Sequence, residues 1–160
     1  MAPRIDFYVL EGADDRARLR YACRIIEKAY LKSLTVCVSL DSPAEVESFD
    51  QLLWTFGDSS FVPHALAADG VAAGLAPATP VILGCRRPVP ADLLVNLGTD
   101  APEFYVDYAR VVELVDAEPA RRDAGRRRFA RYRDAGASSP CVGPIAKTDF
   151  DATLRAGAPS

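Results

Sequence analysis

Hydrophobic and polar positions in the first sixty residues alternate between two periods, which predicts strands and helices in turn. A β-branched and aromatic run at residues 5–10 (IDFYVL) is typical of a strand. Residues 16–32 carry apolar side chains at helical spacing, and residues 34–40 (LTVCVSL) form the near-continuous apolar run of a buried parallel strand. Ser42 and Pro43 then supply a cap and a first position for a second helix. This β-α-β-α order predicts a layered α/β domain with a largely parallel sheet.

The remainder of the chain shows shorter elements. We expect a surface loop at the Ala/Gly-rich residues 65–79. We expect a loosely ordered or disordered tail at residues 137–160, which leaves residues 1–136 as one domain. Between them the pattern predicts strands at 80–85 and 92–98, a short helix at 103–108, a strand at 110–115, and a helix that Pro119 opens and Gly136 ends.

Composition adds limits to this picture. A chain of 160 residues with 49% hydrophobic residues is long and apolar enough for one real core. No stretch approaches eighteen consecutive apolar residues, and the start of the chain runs straight into a strand-like segment. We therefore expect a cytoplasmic protein without a membrane span or a signal peptide.

Cysteine and histidine usage argues against a metal or redox site. The four cysteines, Cys23, Cys37, Cys85 and Cys141, show no CxxC spacing, so we expect buried free thiols. A structural zinc site needs four clustered nitrogen or sulfur ligands, and the chain has a single histidine. We expect no metal and no cofactor.

The motifs that would make a Rossmann-like fold bind nucleotides are missing from the sequence. The first β-α turn, VLEGADD, has one glycine where a dinucleotide fingerprint needs three, and its two aspartates would repel a pyrophosphate. Neither a GxxxxGK[ST] phosphate loop nor a GxSxG elbow occurs. The prediction is a single-domain, three-layer Rossmann-like fold without enzymatic activity, although an enzyme with a cryptic nucleotide site stays an alternative.

Charge is concentrated in the last predicted helix. Residues 1–116 carry ten Lys/Arg and seventeen Asp/Glu, whereas residues 117–136 carry seven Arg and three acids. Four side chains of this helix, which we call the helix stripe, recur at i, i+4, i+7 and i+11: Arg122, Arg126, Phe129 and Arg133. Guanidinium groups beside an aromatic ring suit an acidic peptide that ends in an apolar residue. A solvated arginine face and direct contact with nucleic-acid phosphates are the alternatives.

A second candidate surface combines rare residues around a polar break. The stretch FDQLLWTFGDSSFVPH contains the only Trp and the only His of the chain. We call its candidate contact residues the loop surface: Trp54, Phe61, Val62, Pro63 and His64. Trp and Phe are enriched at the centres of protein interfaces, which favours a partner-binding role. The alternative is that Trp54 belongs to the core and His64 is an ordinary surface histidine.

Several segments together resemble one protein family. FY-x-L at the start, CRIIEKAY, LLWTF-GD-SSFVPH, PVILG, LLVNL and RFARYRDAG occur in the order found in the chi subunit of bacterial DNA polymerase III. The resemblance runs from about Phe7 to Gly136, and LLW followed by SFVPH is its most specific part.

This resemblance implies a non-catalytic adaptor of the clamp-loader assembly in DNA replication. Chi proteins bridge the psi subunit to the acidic C-terminal tail of the single-stranded DNA-binding protein. By position, the resemblance implies a tail pocket on the helix stripe, with Arg126 as the main carboxylate contact and Phe129 as the apolar wall. It implies that the loop surface faces psi or an accessory helicase, most firmly through Trp54 and Phe61. Direct binding of single-stranded nucleic acid by the arginine-rich helix stays an alternative.

Overall fold

The computed structural model describes residues 3–57, 59–67, 79–85 and 89–141, and strands and helices alternate through this part of the chain. The strands are β1 (Arg4–Val9), β2 (Val36–Ser39), β3 (His64–Leu66), β4 (Val81–Leu83), β5 (Leu93–Asn96), β6 (Arg110–Val115) and β7 (Ser138–Cys141). The helices are α1 (Asp15–Leu31), α2 (Pro43–Thr55) and α3 (Pro119–Asp134), with a 3-10 helix at Glu103–Asp107.

The seven strands form one sheet in the order β3-β4-β2-β5-β6-β1-β7, and every pair in it is parallel. The chain moves towards β3 through α1 and α2, and towards β7 through α3. Because crossovers between parallel strands are right-handed, the two directions place their helices on opposite faces of the sheet. One core cluster accordingly contains α1 and α2, and the other contains the 3-10 helix and α3. The predicted three-layer α/β fold is confirmed.

Helix termini follow the predicted cap signals. The Ser42 hydroxyl accepts a hydrogen bond from the Glu45 amide (3.2 Å), with Pro43 as the first residue of α2. Gly136 follows the C-cap residue of α3, and its φ of 81° is one that side-chain-bearing residues rarely adopt.

Two short edge strands differ from the sequence expectation. Residues 65 and 66, predicted as loop, belong to β3, which pairs with β4 in the register His64 with Val81. The tail predicted from residue 137 contributes β7, which pairs with β1. Neither segment has the continuous apolar run that marks the equally short β2 and β4, and pairing with a neighbouring strand determines them. Most of the predicted loop at 65–79 and of the tail lies outside the described residues.

The cysteines are a further correction. Cys37 on β2 and Cys85 just after β4 form a disulfide, with their Cα atoms 6.5 Å apart. The expectation of free thiols is therefore wrong for these two residues, because adjacent parallel strands bring them side by side. Cys23 is free and buried, and burial raises the pKa of its thiol to about 12, which keeps it protonated and unreactive.

A buried carboxylate anchors α3 to the sheet. Glu113 on β6 is fully buried and accepts hydrogen bonds from Arg128 Nε (2.8 Å), the Tyr132 hydroxyl and Asn96 Nδ2 (2.8 Å). Burial raises the pKa of Glu113, while the Arg128 guanidinium opposes that shift. Arg128 also donates to the Thr99 carbonyl (2.8 Å), so this cation has partners on both sides. The network fixes which side of α3 faces inward.

Close approach of α3 to the sheet requires a glycine. A Cβ atom on Gly125 would lie 2.6 Å from Cγ2 of Val115, which is nearer than side-chain carbons can pack. A glycine within a helix ordinarily costs about 1 kcal/mol relative to alanine. Here it lets α3 lie against β6 at the depth where Arg128 reaches Glu113.

Replacing Arg128 with Ala should destabilise the protein by about 3–5 kcal/mol, since Glu113 would keep a buried charge without its cation. Arg127 is exposed on the same helix, and Arg127→Ala is the matched control, expected to change stability by no more than about 0.5 kcal/mol. Urea denaturation followed by circular dichroism measures both. Equal small effects of the two substitutions would contradict the anchoring role.

Candidate functional site: two exposed surfaces

The start of α3 is fixed by a second carboxylate–arginine pair. Asp116, at the carboxyl end of β6, accepts from Arg121 Nε (2.9 Å) and Nη2 (2.8 Å). Arg121 also donates to the Ala13 carbonyl (3.0 Å), and the side chain of Glu118 caps the helix at the Arg121 amide (2.8 Å). These contacts tie α3 to the loop after β1 before the helix stripe begins.

The arginines of the helix stripe differ in how available they are to a partner. Side chains of Arg126 and Arg133 are 73% and 64% exposed, and each contacts a neighbouring exposed aspartate at 3.3 Å. Such surface pairs are weak and can exchange for another carboxylate. Arg122 is half-buried, and its Nε donates to the backbone carbonyl of Asp116 (3.2 Å). Arg126 and Arg133 are thus the open cations of the stripe.

Phe129 lies between these two cations along the helix. Its ring meets the Phe7 ring edge to face at 5.6 Å and packs on the core cluster beneath α3. Phe129 is half-buried, so part of the residue remains exposed to solvent. The stripe therefore combines a fixed apolar surface with guanidinium groups one turn to either side.

In the loop surface, an aromatic pair is exposed. Trp54, on the last turn of α2, is 41% exposed, and Phe61, after the polar break, is 66% exposed. The two rings lie 5.4 Å apart. Trp54 is therefore not a core residue, and the pair forms an apolar patch of the kind that partners cover.

The other loop-surface residues lie beneath this patch. Val62 and His64 are buried, and Pro63 is half-buried, so they shape the patch from below.

Sequence reasoning missed Leu66, which is exposed and two residues after His64 on β3. Alternate strand residues share a face, so Leu66 extends the apolar patch along the edge strand. Its only signal was membership of β3, which the sequence pattern did not predict.

The two surfaces are far apart in the fold. The helix stripe lies on α3, which packs against β6 and β7 on one face of the sheet. The loop surface lies on α2 and β3, on the other face and at the opposite end of the strand order. Separate partners can therefore reach them independently.

The crevice where nucleotides bind in related folds has unsuitable chemistry. A cavity of about 600 Å³ lies at the carboxyl ends of β2, β5 and β6. Its arginines are already paired with carboxylates of the chain: Arg18 with Asp15, Arg121 with Asp116, and Arg128 with Glu113. The carboxylates Asp41 and Glu45 also line it, and these would repel a polyphosphate.

At the N-terminus of α1, a side chain of the chain itself already binds the backbone amide that a phosphate would need. The Asp14 carboxylate accepts from the Arg16 amide (3.0 Å), a position that a phosphate would take in a dinucleotide-binding turn. Among the residues that the structure describes, no three His, Cys, Asp or Glu side chains group to hold a metal ion. Within the same residues, no helix is long and apolar enough to cross a membrane.

Fold and surfaces together define a class: a parallel α/β domain whose distinctive exposed side chains form an arginine-rich stripe and an aromatic patch. Comparison with known proteins identifies the family within that class. The family model for "DNA polymerase III chi subunit, HolC" matches residues 2–139. The chain belongs to this family, which confirms the resemblance seen in its motifs.

Three relatives carry the same description, DNA polymerase III subunit chi. The protein of Pseudomonas aeruginosa is 42% identical over 135 residues, covering 83% of this chain and 91% of the relative. That of Haemophilus influenzae is 27% identical over 85% of this chain and 94% of the relative. That of Escherichia coli is 29% identical over 71% of this chain and 77% of the relative. The family is a replication subunit of DNA polymerase III.

The Asp116–Arg121 pair should make stability depend on acidity. Burial alone would raise the pKa of Asp116, but hydrogen bonds from Arg121 hold it below its ordinary value of 3.8. The ionised carboxylate therefore stabilises the fold above that value, and this contribution is lost as pH falls through the lower folded-state pKa.

Asp116→Asn should consequently be less stable than the wild type near neutral pH, and the difference should shrink below pH 3.8. Urea denaturation at a series of pH values measures it. Asp123→Asn, on an exposed aspartate of the same helix, serves as the control. A difference for Asp116→Asn that does not change with pH would contradict the pair's contribution.

Proposed function

We propose that this chain is a non-catalytic adaptor in the clamp-loader assembly of the DNA polymerase III holoenzyme. In this proposal it links the holoenzyme to the acidic C-terminal tail of the single-stranded DNA-binding protein and works in the cytoplasm. The observation that carries the proposal is the partly covered Phe129 ring between the exposed cations Arg126 and Arg133. The family relationship supports its place in the polymerase complex.

The geometry of the helix stripe supports a peptide with an apolar end and several carboxylates. Arg126 is the main carboxylate contact, because its side chain is open and its aspartate partner is easily displaced. Arg122 is a supporting cation held near the helix start, and Arg133 adds charge one turn beyond the ring. Phe129 supplies the apolar wall, since its own packing on Phe7 keeps the ring from turning away.

The loop surface is the proposed contact for the psi subunit or an accessory helicase. Trp54 and Phe61 are the direct contacts, because they are the exposed members of the set. Val62, Pro63 and His64 support them from beneath. An exposed aromatic pair with a buried frame has the features of an interface hot spot, in which a few rigid anchors supply most of the affinity.

Arg126→Ala should weaken binding of an acidic, apolar-ended tail peptide about tenfold or more, since a hydrogen bond between charged groups is worth about 1.5–3 kcal/mol. Fluorescence anisotropy of a labelled peptide measures this, and wild-type affinity in the micromolar range corresponds to about −8 kcal/mol. Raising salt from about 0.15 to about 1 M should weaken binding, because the Debye length falls from about 8 to about 3 Å.

Matched controls make this test specific. Arg127→Ala removes the same charge from an exposed position beside the stripe and should leave affinity nearly unchanged. A peptide with an amidated C-terminus tests whether the terminal carboxylate is read. If a single-stranded oligonucleotide bound and the peptide did not, the adaptor proposal would be wrong and direct nucleic-acid binding would replace it.

Trp54→Ala should weaken binding of the organism's psi subunit about thirtyfold, which corresponds to the roughly 2 kcal/mol of an interface hot spot. Phe61→Ala should act in the same direction. Leu31→Ala removes an exposed apolar side chain at the end of α1 and is the control. Calorimetric titration measures all three, and an unchanged affinity in both aromatic variants would exclude the loop surface as the psi contact.

A further inference from the structure

Beneath the loop surface, the chain's single histidine has acceptors on both ring nitrogens. His64 Nδ1 lies 2.7 Å from the backbone carbonyl oxygen of Val62, and Nε2 lies 2.9 Å from Oδ1 of Asp50. A carbonyl and an ionised carboxylate can only accept hydrogen bonds, so each contact requires a proton on the ring nitrogen. A neutral imidazole carries one such proton, and an imidazolium carries both.

The same ring lies against the residue that the loop surface exposes. Asp50 and Trp54 are one turn apart on α2, and His64 fits against both of them. The centroids of the His64 and Trp54 rings are 4.1 Å apart and tilted by 39°. A cation this close to an indole face is attracted by its π electrons. The contacts run in series from Asp50 through His64 and Trp54 to Phe61.

We propose that Asp50 and His64 form a charged pair that positions Trp54 for partner recognition, with both ring nitrogens of His64 protonated when the surface is competent to bind. The recognition part of this inference rests on the proposed function of the loop surface. Asp50 is a positioning residue, because it acts on Trp54 through His64.

Burial makes the pair responsive to the loss of a proton. The His64 side chain is fully shielded from solvent, whereas that of Asp50 is 23% exposed. The ionisable group in contact with the ring is Asp50 on α2, at Nε2. The same helix contributes Trp54, the preceding loop contributes the Val62 carbonyl, and β4 lies alongside with Val81.

Deprotonation would turn a ring lone pair towards either the Val62 carbonyl or the Asp50 carboxylate. Because the ring is shielded from water, no water molecule can donate a hydrogen bond to the deprotonated nitrogen. The ring must therefore shift, and Trp54 loses its support. Rising pH should therefore loosen the loop surface, and partner affinity should fall with it.

Because the chain has one His and one Trp, each reports without ambiguity. The first arm of the test uses no partner: ¹⁵N NMR follows both ring nitrogens of His64, and Trp54 emission is recorded on the same samples across about pH 5 to 8, where histidines ordinarily change charge. Both signals should change together, with one midpoint. Asp50→Asn should change both signals, because Nε2 of His64 then lies against an amide instead of a carboxylate.

Glu47→Gln removes an equivalent charge from an exposed position on α2 and should leave the midpoint unchanged. His64 in a neutral form throughout this range, or Trp54 emission that does not follow the His64 titration, would overturn the proposed pair. Signals of Asp50→Asn that match those of the wild type would overturn the role of Asp50.

The second arm measures psi affinity by calorimetry over the same pH range. Wild-type affinity should fall as His64 loses its proton, and Asp50→Asn should bind about tenfold more weakly at the acidic end. A wild-type affinity for psi that does not change with pH would overturn the link to recognition. Absence of psi binding at any pH would instead contradict the proposed function, and the partner-free arm would still decide whether the pair positions Trp54.

Discussion

The Glu113 carboxylate is the constraint on which the orientation of α3 depends. A buried carboxylate must be surrounded by donors, and α3 supplies two of them from Arg128 and Tyr132, one turn apart. Arg126 precedes Arg128 by two residues, which places it about 200° around the helix from Arg128. Satisfying Glu113 therefore turns Arg126 outward and leaves Phe129 at the boundary between core and solvent. We infer that the network contributes more to this orientation than to net stability.

Sequence patterns were sufficient to predict the central strands of the sheet and the helices that connect them. The apolar runs of β2 and β6, the helical periodicity of α1 and the Ser42–Pro43 start of α2 are local signals, and the structure reproduces them. The edge strands β3 and β7 could not be predicted, because pairing with a neighbour creates them. The same reason explains Cys37 and Cys85, which are 48 residues apart in the chain and meet only once β2 and β4 pair.

For the candidate surfaces, sequence reasoning identified residue types but not their degree of exposure. Charge and spacing selected the helix stripe, yet they could not distinguish the open Arg126 from Arg122, which contacts backbone at the helix start. Nor did they show that Arg128, in the same arginine-rich run, is a core residue. Composition selected Trp54 and His64 together, while only the fold shows one exposed and the other beneath it. Asp50 had no signal in sequence, because its role depends on a contact across fourteen residues.

The opposite placement of the two surfaces has a consequence for assembly. A protein held at the loop surface does not obstruct the helix stripe, so both can be occupied in one complex. The parallel sheet lies between the two surfaces, so their proposed partners would be held on opposite sides of the domain. If both proposed partners bind, the domain raises the effective concentration of each one near the other without any conformational signal passing through the domain.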